Sequence, residues 1–187
     1  MDWLIVVIEE YKTLRTEKIE SMKMQRSILQ YGAAAIGIVM IAGLYVWDKP
    51  LLSAVVFLFF LPGVVYLISM MWTDEVARMF RAGSFLSELE KKINSEFVEK
   101  DEALSWESWL LKQQNNGKAP RQLVWPHYIA ILFLFITISI VSIVLGNFKL
   151  RETVSIQYVI SIDILEATLF VVISIILLNT FRAVNRT

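Results

Sequence analysis

The chain contains no cysteine and a single histidine, His127. The first absence removes disulfides, thiolate metal sites and cysteine nucleophiles. The second removes a histidine-based metal cluster within one chain. Net charge is missing too. The 18 basic and 18 acidic residues cancel, so no charge excess points to nucleic acid as a partner. A secretory leader is not expected either. Met1 to Ile8 is a short apolar stretch interrupted by Asp2, with Glu9 and Glu10 after it and no small-residue cleavage site, so the whole chain is expected to be retained.

What is present is apolar. Hydrophobic residues make up 56% of the 187, above the ~45–50% usual in soluble domains, and the mean hydropathy is positive. Charge is 19% of the chain and clumped. Four stretches meet the ~20 apolar residues that a bilayer-spanning helix needs. They run from about Gln30 to Trp47, Leu51 to Trp72, Trp125 to Gly146 and about Tyr158 to Phe181. None alternates apolar and polar residues, so helices rather than barrel strands are predicted. Asp48-Lys49-Pro50 predicts a tight turn that makes spans one and two an antiparallel hairpin.

Lys and Arg predict the orientation. Fifteen lie in the N-terminal segment, the loop between spans two and three, and the tail; three (Lys49, Lys149, Arg151) lie on the other side. Both termini and the long loop are therefore expected in the cytoplasm. Trp47, Trp72, Trp125, Tyr128 and Tyr158 fall at span ends, as interfacial aromatics do.

The N-terminal segment reads as an amphipathic helix. Leu4, Val7, Ile8, Tyr11 and Leu14 recur at spacings of three and four, and Ile19, Met22 and Leu29 continue the stripe with a drift in phase. With no Gly or Pro before Gly32, this helix is expected to run into span one as a stalk; a helix lying on the membrane surface is the alternative. In the long loop, Val76, Met79, Phe80, Phe85, Leu86, Leu89 and Ile93 predict a helix extending span two. Leu104, Trp106, Trp109, Leu110 and Leu111 predict a short second one, ended by the turn-rich residues Gln113 to Pro120.

Two motifs carry a resemblance. Glu10-Tyr11-Lys12-Thr13-Leu14-Arg15-Thr16-Glu17 matches E-Y-x-x-L-R-x-E, and the loop contains Arg81-Ala82-Gly83-Ser84-Phe85-Leu86 with Glu88 or Glu90, then Ser105-Trp106-Glu107-Ser108-Trp109-Leu110. In these the chain resembles a diffuse, largely uncharacterised group of small bacterial four-span membrane proteins. Some of that group lie beside antiphage defence systems, where membrane proteins act as effectors or accessories. The resemblance implies a bacterial inner-membrane location and a defence role. Read without it, Tyr11 and Leu14 are packing residues, while Arg15 and Glu17 make local ion pairs.

Polar residues near the spans are the remaining candidates. Asp163 and Glu166 share a helical face. Counting back from Thr180 gives about 27 Å of helix, which puts Asp163 near the outer interface and Glu166 about one turn deeper. They face headgroups, ring the outer mouth of an oligomeric pore, or pair with Lys149 or Arg151. Ala33 and Gly37 form a small-xxx-small pair for close helix packing, within the chain or between copies. Pro62-Gly63 is expected to kink or loosen span two, as an accommodated bend or a hinge. Ser139 and Ser142 share a face, free to bond to their own helix or across to a neighbour. Arg121 and His127 have the R-x5-H spacing of a ribonuclease motif. Pro126, expected to break the helix between them, argues against that role, and no phosphate loop, nucleophile elbow or metal-ligand spacing is found.

The expectation is an all-α membrane protein with four transmembrane helices and a cytoplasmic helical layer. Its parts are an N-terminal helix (1–29), a transmembrane hairpin (30–72), a cytoplasmic helical loop (73–124), a second hairpin (125–181) and a tail (182–187). No enzymatic activity and no cofactor are expected. One functional reading is a homo-oligomeric, channel-like membrane effector. The other is a non-conducting adaptor holding a cytoplasmic protein through Glu10, Tyr11, Leu14, Arg15 and Glu17 and through Trp106 and Glu107. Partners on either reading are the lipid bilayer and protein, not nucleic acid.

Overall fold

The structure, a computed structural model, describes residues 2–96, 104–106 and 121–154, and beyond them Ser161, Ile162, Ile164, Thr168, Val171, Val172, Ile175 and Asn179. Regular structure among the described residues is all helical. Helix α1 spans Asp2–Tyr45, α2 Pro50–Val55, a π-helical turn Val56–Phe60, α3 Leu61–Ser95 and α4 Arg121–Leu150. Three rods, Trp3–Tyr45, Pro50–Ser95 and His127–Leu150, are long and apolar enough to cross a membrane. The expected fourth span is described only at the eight separate positions from Ser161 onward, all of them helical; the rest of it lies outside the described residues.

Helix α1 is 44 residues long, about 66 Å at the helical rise. Its first half is charged and its second half, residues 27–45, is uncharged. Both halves form one helix because nothing breaks it: Gly32 is its first helix-weakening residue. The expected stalk is therefore continuous with the first span. The rod Pro50–Ser95 repeats the pattern, uncharged from 50 to 73 and charged beyond, so the expected extension of span two is also continuous with its span.

The two rods meet through the turn at 46–49. Lys49 N–H bonds to the Val46 carbonyl at 2.9 Å and Ser53 N–H to the Lys49 carbonyl at 2.9 Å. Pro50 then opens α2, where its missing N–H costs nothing. From this turn the rods zip antiparallel along their whole length. Phe57 lies against Gly43 and Ile68 against Gly32, Gln25 bonds to Glu75 and Tyr11 to Glu90. The glycines set the spacing: a Cβ at Gly32 would sit 2.7 Å from Ile68 Cγ2, and one at Gly43 2.8 Å from Phe57 Cε2.

The rod Pro50–Ser95 is central. It packs against α1 on one side and α4 on the other. At span level Ile36, Phe57, Leu61, Val65, Ile68 and Phe135 form one apolar core. In the stalk Val7, Tyr11, Leu86, Leu89 and Ile93 form a second, joined by Leu104. Full burial of side chains such as Leu86 and Ile93 contributes roughly 1.5–3 kcal/mol each where water is the alternative. Asn94 fastens Leu104 there with two bonds, its amide donating to the Leu104 carbonyl (2.6 Å) and its oxygen accepting from the Leu104 N–H (2.9 Å).

Three local expectations are corrected. Pro126 does not break its helix, since α4 runs unbroken through it; only five residues precede it, so few backbone bonds are at stake. The inner stripe of α1 does not continue through Ile19 and Met22, which are exposed, but through Ser21 and Gln25, which are buried. Trp72 does not face headgroups: it is buried against Tyr128 of α4, with ring centroids 5.4 Å apart.

Candidate functional site

The charged half of the hairpin is held by a ladder of polar contacts. At the far end Tyr11 Oη donates to Glu90 Oε1 at 3.1 Å, and Glu90 is wholly buried. Arg78 donates to Glu17 Oε1 through Nε at 2.9 Å and Nη2 at 2.8 Å. Ser21 Oγ donates to Glu75 Oε2 at 2.7 Å, and Gln25 Nε2 to the Glu75 carbonyl at 3.3 Å. Every rung joins α1 to α3. The bonded Glu17 carboxylate raises the Arg78 pKa above its ordinary value. A base with a raised pKa keeps its contribution at all lower pH and loses it only as pH rises through that value, so Arg78 stays charged throughout the neutral range.

These rungs revise the roles of the N-terminal motif. Tyr11 is buried in the stalk core with Leu14 packed beside it, and Glu17 pairs across the hairpin with Arg78 instead of with a neighbour on its own helix. Glu10 and Arg15 are exposed. Three residues of the motif, Tyr11, Leu14 and Glu17, therefore close the hairpin, with Tyr11 and Leu14 as the packing residues expected, and two, Glu10 and Arg15, face outward. Trp106 is 56% exposed, and the first turns of α1 expose Trp3, Ile5 and Val6. Glu107 lies outside the described residues.

A second constellation lies at span level. Pro62 has no N–H, and the Leu61 N–H bonds five residues back to the Val56 carbonyl, forming the π turn. The Phe57 carbonyl thus loses its α-helical donor to that turn and its π-helical donor to proline. Ser142 Oγ of α4 donates to it. Gly146, one turn along α4, lets that helix approach closely, since a Cβ there would sit 2.5 Å from Leu58 Cγ. Pro62 does loosen span two, and a bond from α4 secures the loosened turn.

Other span hydroxyls are engaged inside the chain. Ser139 donates to the Phe135 carbonyl at 3.0 Å, Thr137 to Phe133 at 2.8 Å and Ser53 to Gly43 at 3.3 Å. Ala33 is exposed, and a Cβ on Gly37 would meet nothing within 4 Å. Among the described residues that small pair therefore does not form the contact between the rods, a task that falls to Gly32 and Gly43. A Cβ on Gly63 likewise meets nothing. At the turn end, Lys149 is buried, with Nζ 3.1 Å from Glu152 Oε1 and 4.4 Å above the Trp47 ring. Lys149 is thus engaged by Glu152; Asp163 and Glu166 lie outside the described residues.

The ladder residues Glu75 and Arg78 were not singled out from sequence, and Glu90 entered only as an alternative to Glu88 in the loop motif. The readable signal was position: Val7, Tyr11, Leu14, Lys18, Ser21, Gln25, Ile28 and Gly32 alternate spacings of four and three, a heptad-like seam with polar residues inside it. Among the described residues no cluster of His, Asp or Glu could hold a metal. Comparison with known proteins returns no matching family model, no matching curated protein and no matching solved structure.

Proposed function

We propose that this is a bacterial inner-membrane effector, in which a cytoplasmic stalk receives a protein partner and passes that event to the spans of a homo-oligomer. Antiphage defence is the setting that the resemblance implies. The carrying observation is continuity: α1 and the Pro50–Ser95 rod pass from charged to uncharged sequence without interruption. Neither rod has a joint at the bilayer surface to absorb a movement. Support for a docked partner comes from apolar side chains left exposed among charges, Trp3, Ile5, Val6 and Trp106, a pattern that marks interaction surfaces.

A potential-sensitive dye in cells expressing the protein with its inducing partner tests the effector. Depolarisation supports it, and an intact potential sinks it. A non-conducting adaptor is the second reading. It is favoured by the span hydroxyls of Thr137, Ser139 and Ser142, which are bonded within the chain. For either reading, Trp106→Ala is expected to lose the partner in a pull-down with membrane insertion unchanged.

A further inference from the structure

The charges of α1 are sorted by side. At 100° per residue, Glu9, Glu10, Glu17 and Glu20 fall on one flank of the helix, and Lys12, Arg15, Lys23 and Arg26 on the other. Lys18, half-buried, lies toward the seam with α3. Neither flank is covered. Ile19 and Met22 are exposed on the basic side, Val6 and Met24 on the acidic side. Some charges are already held: Lys12 pairs with Glu9 at 3.2 Å, and Arg78 of α3 with Glu17 at 2.8 Å, close enough to Glu20 to feel its charge. The acids that α1 turns outward are Glu10 and Glu20; the bases are Arg15, Lys23 and Arg26.

We propose that the acidic flank of α1 docks on the basic flank of α1 in a second copy of this chain, side by side and parallel. This rests on the membrane reading above, which supplies the main argument. Copies inserted in one bilayer with one topology are parallel and at equal depth, so residues at similar positions along α1 are level. Glu20 is then about 4.5 Å along the axis from the neighbour's Lys23, and Glu10 about 7.5 Å from its Arg15, offsets that long basic side chains span. Size matches as well as sign. Toward the spans the acidic flank continues as Tyr31 and Ile38, 77% and 68% exposed, while the basic flank continues as Ala33 and Gly37. Over residues 31–38 bulk on one side is level with room on the other; further along, Ile41 and Leu44 are exposed on the basic flank and Ala42 on the acidic one, so bulk and room change sides. A foreign acidic helix would satisfy the charges but has no reason to match the depth. Because the two flanks differ, the contact is heterologous, and repeating it builds a ring around the membrane normal.

The test uses the full chain reconstituted in lipid vesicles at low protein density, with labelled copies counted by single-molecule bleaching. Wild type is expected to associate. Glu10→Lys with Glu20→Lys makes both flanks basic, and Arg15→Glu with Lys23→Glu makes both acidic. Each variant alone is expected to associate at least about tenfold more weakly, as repulsion replaces attraction. Mixed together, the two variants are expected to regain association, a result that misfolding cannot give. Monomeric wild type, full association of either variant alone, or a mixture that stays dispersed would each overturn the proposal. So would a basic flank that binds an added acidic helix while wild type stays monomeric. Alkaline carbonate extraction of the same membranes separates these outcomes from failure of the membrane reading, which would release the chain.

Discussion

The Ser142 hydroxyl supplies the Phe57 carbonyl with the hydrogen bond that Pro62 and the π turn take away. One residue creates the vacancy and another, eighty positions further on in the chain, fills it. Ser142→Ala is therefore expected to lower stability by about 1–2 kcal/mol, the cost of a buried acceptor left alone in an apolar setting. Pro62→Ala restores an N–H, so the double variant should lose less than the sum of the two single ones. Thermal unfolding in detergent reads all three; strict additivity would show that the two sites are unconnected.

Glycines give a paired prediction. Gly146→Ala places a methyl 2.5 Å from Leu58 Cγ and 3.1 Å from the Leu58 backbone nitrogen, so α4 must shift and stability should drop by about 1–3 kcal/mol. Gly37→Ala meets open space within the chain and gains helix propensity. A single chain in detergent should tolerate it, as unfolding of both variants side by side would show.

Tyr11→Phe keeps the ring in the stalk core and deletes its bond to Glu90. A loss of about 0.5–1.5 kcal/mol is expected, confined to the charged end of the hairpin. Hydrogen exchange should speed up around residues 7–14 and 86–93 and stay unchanged at 57–68. A uniform acceleration would mean that the hairpin unfolds as one unit.

The Arg78–Glu17 pair is half-exposed, so Arg78→Ala should cost little stability, and less still at high salt. On the alkaline side the pair is insensitive to pH. The raised Arg78 pKa means that the base keeps its proton in mild alkali, so raising pH from neutral should leave this contact in place. Stalk proteolysis followed against pH and salt checks both statements.

The chain has no cysteine of its own, so single cysteines report orientation without background. Glu88→Cys and Glu20→Cys are expected to react with an impermeant maleimide only in opened cells. Asp48→Cys should react in intact ones. The reverse pattern would invert the orientation drawn from Lys and Arg.

The helical rods were legible because long uncharged runs without early Gly or Pro leave nothing to interrupt a helix. The hairpin was legible from Asp48-Lys49-Pro50. Register was harder. Ile19 and Met22 looked like core because they are apolar, yet Ser21 and Gln25 hold the seam, where each finds Glu75 on the other rod. Apolar stripe counting cannot see a seam that alternates between apolar and bonded polar residues. Glu90 was in view only as an alternative to Glu88, for the same reason: a buried carboxylate shows itself only once Tyr11, 79 residues away, is brought beside it. The Ala33–Gly37 spacing was readable, but spacing alone does not say which side of a helix is covered.

The unbroken length of α1 also has a mechanical meaning. From Trp3 to Arg26 it projects about 35 Å beyond its uncharged half. On the membrane reading proposed above, and stiffened along its side by α3, it would be an arm whose fulcrum is the membrane surface. Rocking it by about 10° would carry the tip about 6 Å and swing the other end the opposite way by a comparable amount. On that reading, small displacements applied at Trp3 are delivered, reversed in direction, to the helix end near Trp47.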